Sequence, residues 1–190
     1  MKKIFVTQPT LPDLKNFTTY LEKIWKTKIL SNNGEFVKEF EEKLKKFLDV
    51  KHISIYSNGT LALINTIKAL DLCGEIITTP YSYIATANSI LWNDIKPVFV
   101  DIDEKTGNID PSKIENKISD KTTAILAVHV YARPCDLSSL EKISKSYNLK
   151  LIYDAAHCFG AQINGQSLCS FGDASIISFH ATKVFNTIEG

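Results

Sequence analysis

Arginine is almost missing from this sequence: Arg133 stands alone among 22 basic residues, and all the others are lysine. Surfaces that read bases or phosphates rely on guanidinium forks, so nucleic acid is not an expected partner. There is no excess of either charge. The 22 basic residues face 21 acidic ones, and a formal net charge of +1 draws neither nucleic acid nor an anionic membrane. Long apolar runs are missing too, and nothing approaches the ~20 residues of a membrane span. The opening Met1-Lys2-Lys3-Ile4-Phe5-Val6-Thr7-Gln8-Pro9 turns polar after three apolar residues and does not read as a signal peptide. The four cysteines, Cys73, Cys135, Cys158 and Cys169, form no CxxC pair. That pattern argues against a zinc site or a disulfide framework, and for reduced thiols in a cytoplasmic protein without a metal centre. No GxGxxG occurs, so a nicotinamide-dependent enzyme has no fingerprint here.

What is present is an ordinary folding composition. Hydrophobic residues make up 44% of 190 and charged residues 23%, too apolar for disorder and enough for one core or a large piece of something bigger. No repeat or linker interrupts the chain. Residues 1–50 read as an N-terminal arm and helices, one running through about Lys28. In the next, Asn32-x-x-Glu35 suggests a capping box, and Phe36, Val37, Phe40, Leu44, Phe47 and Leu48 share a face suited to core packing. From residue 51 short apolar runs alternate with helices. Strands are expected at 52–56, 75–79, 97–100, 123–130, 150–153 and 174–179, with helices at 60–70, 83–92, 111–118 and 137–147. Asp110-Pro111 supplies a cap with proline at the first helical position, and Ser138-x-x-Glu141 suggests another capping box. Runs such as Ala124-Ile125-Leu126-Ala127-Val128 are apolar without alternation, as strands covered on both faces should be. The expectation is an α/β fold with a mostly parallel, doubly wound sheet, whose ligands bind beyond the carboxyl ends of the strands.

Three strand ends carry candidate chemistry. Ser57-Asn58-Gly59-Thr60 opens directly into a helix, where free N–H groups can bind phosphate; the plainer reading is a turn built on Asn and Gly. Asp154 follows a buried strand, with His157 three residues on. It is either a helix cap or the partner of a protonated ligand nitrogen. Ser178 ends the last strand and Lys183 follows in the loop, where most lysines are merely solvated. Together the three offer a phosphate cradle, an acid and an amine, which is the set that pyridoxal phosphate requires.

Six motifs in order carry a resemblance: Ser57-Asn58-Gly59-Thr60-x-Ala62-Leu63, Thr79-Pro80-Tyr81-Ser82-Tyr83, Asn108-Ile109-Asp110-Pro111, Asp154-Ala155-Ala156-His157, Ser170-Phe171-Gly172-Asp173 and Ser178-Phe179-x-x-x-Lys183. The chain resembles the DegT/DnrJ/EryC1/StrS family of pyridoxal-phosphate-dependent nucleotide-sugar aminotransferases over nearly its whole length. The resemblance implies the type I, aspartate-aminotransferase-like large domain and a role for each matching residue. Gly59 and Thr60 would cradle the cofactor phosphate with Ser178, Tyr83 would stack on the pyridine ring, and Asp154 would hold its N–H. His157, where most members carry glutamine, would reach the phenolic oxygen. Lys183 would be the Schiff-base lysine; the related sugar dehydratases have histidine there, so lysine favours transamination.

The implied reaction aminates a 4-keto-6-deoxy sugar nucleotide with glutamate as donor, in a cytoplasmic homodimer that serves polysaccharide biosynthesis. Residues 179–190 resemble the branch making dTDP-4-amino-4,6-dideoxyglucose. Family members are roughly twice this long. Residues 51–190 would then be an incomplete cofactor-binding large domain, with the small C-terminal domain absent and a seventh strand wanting between 52–56 and 174–179. A non-catalytic binding protein of this fold, or an inactive truncated piece, remains the alternative.

Overall fold

The computed structural model describes residues 3–188. Met1, Lys2, Glu189 and Gly190 lie outside the described residues, and with them the first two residues of the opening segment and the last two of the 179–190 motif.

Five parallel strands form one sheet in the order β2-β1-β3-β4-β7: β1 (Glu75–Thr78), β2 (Lys96–Phe99), β3 (Thr122–Val128), β4 (Lys150–Asp154) and β7 (Ala174–Ile176). A two-residue hairpin, β5 (Gln162–Ile163) with β6 (Gln166–Ser167), sits outside it. The unbroken apolar runs are explained by the period of two along a strand with both faces covered. Ile76, Ala124, Leu126, Ile152 and Ile176 pack on one face under α3 (Gly59–Ala69) and α4 (Ile84–Trp92), through Leu63, Ile67 and Ile90. Ile77, Ile125, Ala127, Leu151 and Tyr153 pack on the other under α5 (Leu137–Ser146), through Leu140 and Ile143. The parallel strands all end at the same edge: Asp154 closes β4, Tyr83 and His157 come after β1 and β4, and Ser178 and Lys183 come after β7.

The structure corrects several expectations. Residues 52–56 form no strand: Ile53 and Ile55 alternate with exposed neighbours, but no strand pairs with them among the described residues. Alternation specifies a face; a strand exists only where a partner supplies the ladder. β7 likewise pairs only with β4, and its outer edge carries no partner among the described residues. The 111–118 segment makes two short 3₁₀ turns, Pro111–Lys113 and Glu115–Lys117, in place of a helix. Asp110 does cap the first, accepting from Ser112 N at 3.0 Å. Neither capping box forms. The cap of α5 is Asp136, which accepts from Ser139 N at 3.0 Å; a carboxylate two residues earlier in the chain outcompetes Ser138. Gly34, with no side chain to donate or accept, precedes α2 (Glu35–Leu48).

The aromatic face of α2 reaches further than core packing. Phe40 meets Phe179 at 5.6 Å, Phe47 stacks on Phe159 at 4.9 Å, and Phe159 stacks on Phe185 at 4.9 Å. These rings bracket Ser178 and Lys183, so α2 fixes the loop that carries them. By contrast α1 (Leu14–Thr27) buries no residue and touches α2 edge-on through Tyr20 and Phe36 at 5.3 Å.

Candidate active site

The first of the three candidate positions lies at the start of α3, after a segment that is not a strand. Asn58 caps the helix, its side chain accepting from Leu61 N at 2.9 Å and its carbonyl from Ala62 N at 3.1 Å. The N–H groups of Gly59 and Thr60 come before the first intrahelical bond and point outward from the positive end of the helix. Gly59 is needed for close approach: a Cβ there would lie 3.3 Å from Cβ of Ser178. The two distant segments therefore meet, with Ser178 beside the helix terminus.

Asp154 closes β4, only 6% exposed. Its Oδ2 accepts from Thr86 Oγ1 at 2.7 Å and its Oδ1 from Ala156 N at 3.2 Å. No ion pair within 4.0 Å reaches it among the described residues. A buried carboxylate with two neutral donors and no counter-ion is an expensive arrangement, and it fits a site built for a cation. A protonated pyridine nitrogen is such a cation, so the residues present fit pyridoxal phosphate.

Lys183 and His157 share the electrostatic field of Asp154. Burial lowers the Lys183 ammonium below its ordinary value, with Asp154 pulling the other way. Burial and then the Lys183 charge lower the His157 imidazole, again against Asp154. An amine so shifted yields its proton more readily, as a nucleophile or base must. Its loop is held by Lys183 N to His180 O at 2.8 Å and Thr187 N to Phe179 O at 2.9 Å. Tyr83 is 78% exposed at the start of α4.

Three features escaped the sequence reading. Tyr131 lies parallel to His157, 5.7 Å between centroids and 4° between planes. It adopts the left-handed region (φ 51°), as does Ala132 (φ 62°), in a turn pinned by buried Asn108. Asn108 accepts from Val130 N at 2.9 Å and donates to Pro134 O at 2.8 Å. The second is the pair of hydroxyls behind Asp154: Ser82 Oγ lies 2.6 Å from Thr86 Oγ1. A buried threonine in the apolar sequence of α4 was the available signal.

The third is His129, fully buried at the end of β3 and stacked on Tyr153 at 4.5 Å. Its Nδ1 accepts from Cys135 N at 3.1 Å, which places the proton on Nε2, and burial pushes its pKa down to about 4. The unfolded chain takes up this proton near 6.5, so between the two values unfolding binds more protons than folding. The resulting stability is complete above pH 6.5 and lost as pH falls toward 4. From pH 7 to 5 this histidine alone should remove about 2 kcal/mol. Urea unfolding of the full-length protein at both pH values should show that loss, and His129→Asn, which retains an acceptor for Cys135 N, should flatten it. An unchanged pH dependence in the variant would refute the assignment.

Among the described residues no helix is long and apolar enough to cross a membrane, and no group of three or more acidic, histidine or cysteine side chains could hold a metal.

Comparison with known proteins agrees with this geometry. The chain is 54% identical over 189 residues to the dTDP-4-amino-4,6-dideoxy-D-glucose transaminase of Shigella dysenteriae, covering 100% of this chain and 52% of that protein. The solved structure of DesI with its TDP-sugar product superposes with a TM-score of 0.95 at 36% identity, over 98% of this chain and 47% of DesI. A protein of Streptococcus pneumoniae assigned as a sugar aminotransferase, Spr1654 in its PLP-form, superposes at 0.88 with 25% identity, over 100% of this chain and 52% of that one. The chain thus spans about half the length of the curated relatives it matches. The family model for DegT/DnrJ/EryC1/StrS aminotransferases matches residues 13–190, and the chain belongs to that pyridoxal-phosphate-using family.

Proposed function

We propose that the full-length protein is a pyridoxal-phosphate-dependent aminotransferase that converts a dTDP-linked 4-keto-6-deoxy sugar to the 4-amino sugar. Glutamate is the donor, and the working form is a homodimer in the cytoplasm. The observation that carries this reading is buried Asp154, with no ion pair among the described residues, in the same field as the depressed amine of Lys183. The sugar class rests on the 54% identity to a dTDP-4-amino-4,6-dideoxy-D-glucose transaminase.

Pyridoxal phosphate, when bound, supplies an aldehyde to carry the amino group and a ring to accept electrons from the donor carbon. The protein supplies the rest. Gly59 N–H, Thr60 N–H and the Ser178 hydroxyl bind the phosphate dianion at the helix terminus. Asp154 keeps a proton on the ring nitrogen, His157 donates to the phenolic oxygen, and Tyr83 covers one ring face and excludes water. Lys183 would hold the aldehyde, and its amine, when free, would serve as the base that takes the proton from the donor's α-carbon. Residues 51–190 act as the cofactor-binding large domain, preceded by an arm and helices at 1–50. The edge of β7 and the segment 52–56, both unpaired among the described residues, suit one further strand.

The test is a panel of keto sugar nucleotides incubated with full-length protein, glutamate and pyridoxal phosphate, with products read by mass spectrometry. Amination of dTDP-4-keto-6-deoxyglucose is expected. Turnover confined to simple 2-oxo acids, with no amino sugar formed, would refute the reading.

A further inference from the structure

The two hydroxyls behind Asp154 have a fixed direction. A carboxylate oxygen accepts, so the one proton of Thr86 Oγ1 goes to Asp154 Oδ2 across 2.7 Å. Thr86 Oγ1 can then only accept from Ser82 Oγ, 2.6 Å away. The chain therefore runs Ser82 O–H to Thr86 O–H to Asp154, from the β1–α4 connection into the end of β4. Each donor polarises the next, and the last bond goes to a charge in a dry place: Thr86 is 1% exposed and Asp154 6%. Thr86 lies in the first turn of α4. Ala156 N–H occupies Oδ1, so both oxygens are anchored and the carboxylate cannot rotate. Ser82 directly precedes Tyr83, so the same two bonds tie the ring-covering loop to the ring-nitrogen partner.

From this geometry we infer that Thr86 is a positioning residue, relayed by Ser82, which fixes the Asp154 carboxylate in plane and charge for the pyridine nitrogen of the cofactor. The inference rests on the aminotransferase reading of Asp154. It assigns Thr86 no contact with substrate or cofactor; it acts through Asp154 alone. An apolar residue in its place leaves a buried carboxylate with a single backbone donor, free to turn about that one bond.

The experiment uses full-length protein and the variants Thr86→Val, Thr86→Ser and Ser82→Ala. Valine preserves shape and removes the hydroxyl; serine restores it without the methyl. Apo protein is titrated with pyridoxal phosphate by fluorescence quenching, and the protonation of the ring is read from the nitrogen chemical shift of cofactor labelled with ¹⁵N at the pyridine position. Thr86→Val should weaken cofactor binding by roughly tenfold or more, as expected for a lost hydrogen bond to a charged group. It should also move the ring nitrogen toward its unprotonated shift. Thr86→Ser should restore both, and Ser82→Ala should weaken binding less than Thr86→Val. Circular dichroism of the apo variants reports folding separately. If Thr86→Val binds as the parent does, with the parent's nitrogen shift, the inference fails while the cofactor reading stands. If Thr86→Ser is as impaired as valine, methyl packing and not the hydroxyl is responsible, and the inference fails. If the parent itself binds no pyridoxal phosphate, both readings fall.

Discussion

Lys183→Ala in the full-length protein is expected to lower turnover by about 10⁴-fold or more, since one side chain provides both the amine that holds the cofactor and the base that moves the proton. Borohydride treatment should fix pyridoxal phosphate onto the Lys183 peptide of the parent and onto none in the variant. The structure gives the reason for choosing this lysine: burial lowers its amine below the ordinary lysine value, against the pull of Asp154. Lys183→Arg is the informative companion. It keeps the charge and most of the length, but a guanidinium does not give up its proton, so arginine should be as inactive as alanine. Turnover within tenfold of the parent in either variant, or an unchanged labelled peptide in alanine, would remove Lys183 from the mechanism.

Asp154→Asn should separate function from stability in a way few substitutions do. Removing one partner from a buried charge pair costs about 3–5 kcal/mol, which at 1.36 kcal/mol per decade is a fall of about 10²- to 10⁴-fold in kcat. Without the cofactor the same substitution should raise stability, because Asp154 is buried with no ion pair among the described residues and asparagine still offers an oxygen to Thr86. Thermal unfolding of apo parent and variant, beside steady-state kinetics of both, decides it. A variant that is both less stable in apo form and normal in kcat would mean that Asp154 serves only as a cap for the 155–158 turn.

The parallel sheet was legible because its evidence is local. Ala124 to Val128 is apolar without alternation, and only a strand covered on both faces tolerates that pattern. The same kind of local evidence misled at 52–56, where alternating Ile53 and Ile55 imitate a strand that has no ladder partner among the described residues. The caps show how close competitors are decided. Asp136 stands just before α5 and Ser138 in its first turn, and the choice depended on which residue the backbone left at the cap position, where Asp136 accepts from Ser139 N. Among the site residues, Gly59, Asp154, Ser178 and Lys183 stood out as chemistry at strand ends. Thr86 did not, for a threonine in an apolar helix carries no mark of its partner.

That difference follows from the range of the forces. Strand faces, helix stripes and turn residues are set by neighbours within a few positions, so order, type and the candidate strand ends could be read from the chain alone. The contacts that make a site join segments remote in sequence: Thr86 to Asp154 across 68 positions, Gly59 against Ser178, Phe40 and Phe159 around the loop of Lys183. Nothing in local pattern specifies which buried hydroxyl meets which buried carboxylate, or that an acid is left without an ion pair among the described residues. Packing on the sheet decides both, because only the assembled interior excludes the water that would otherwise satisfy each polar group separately.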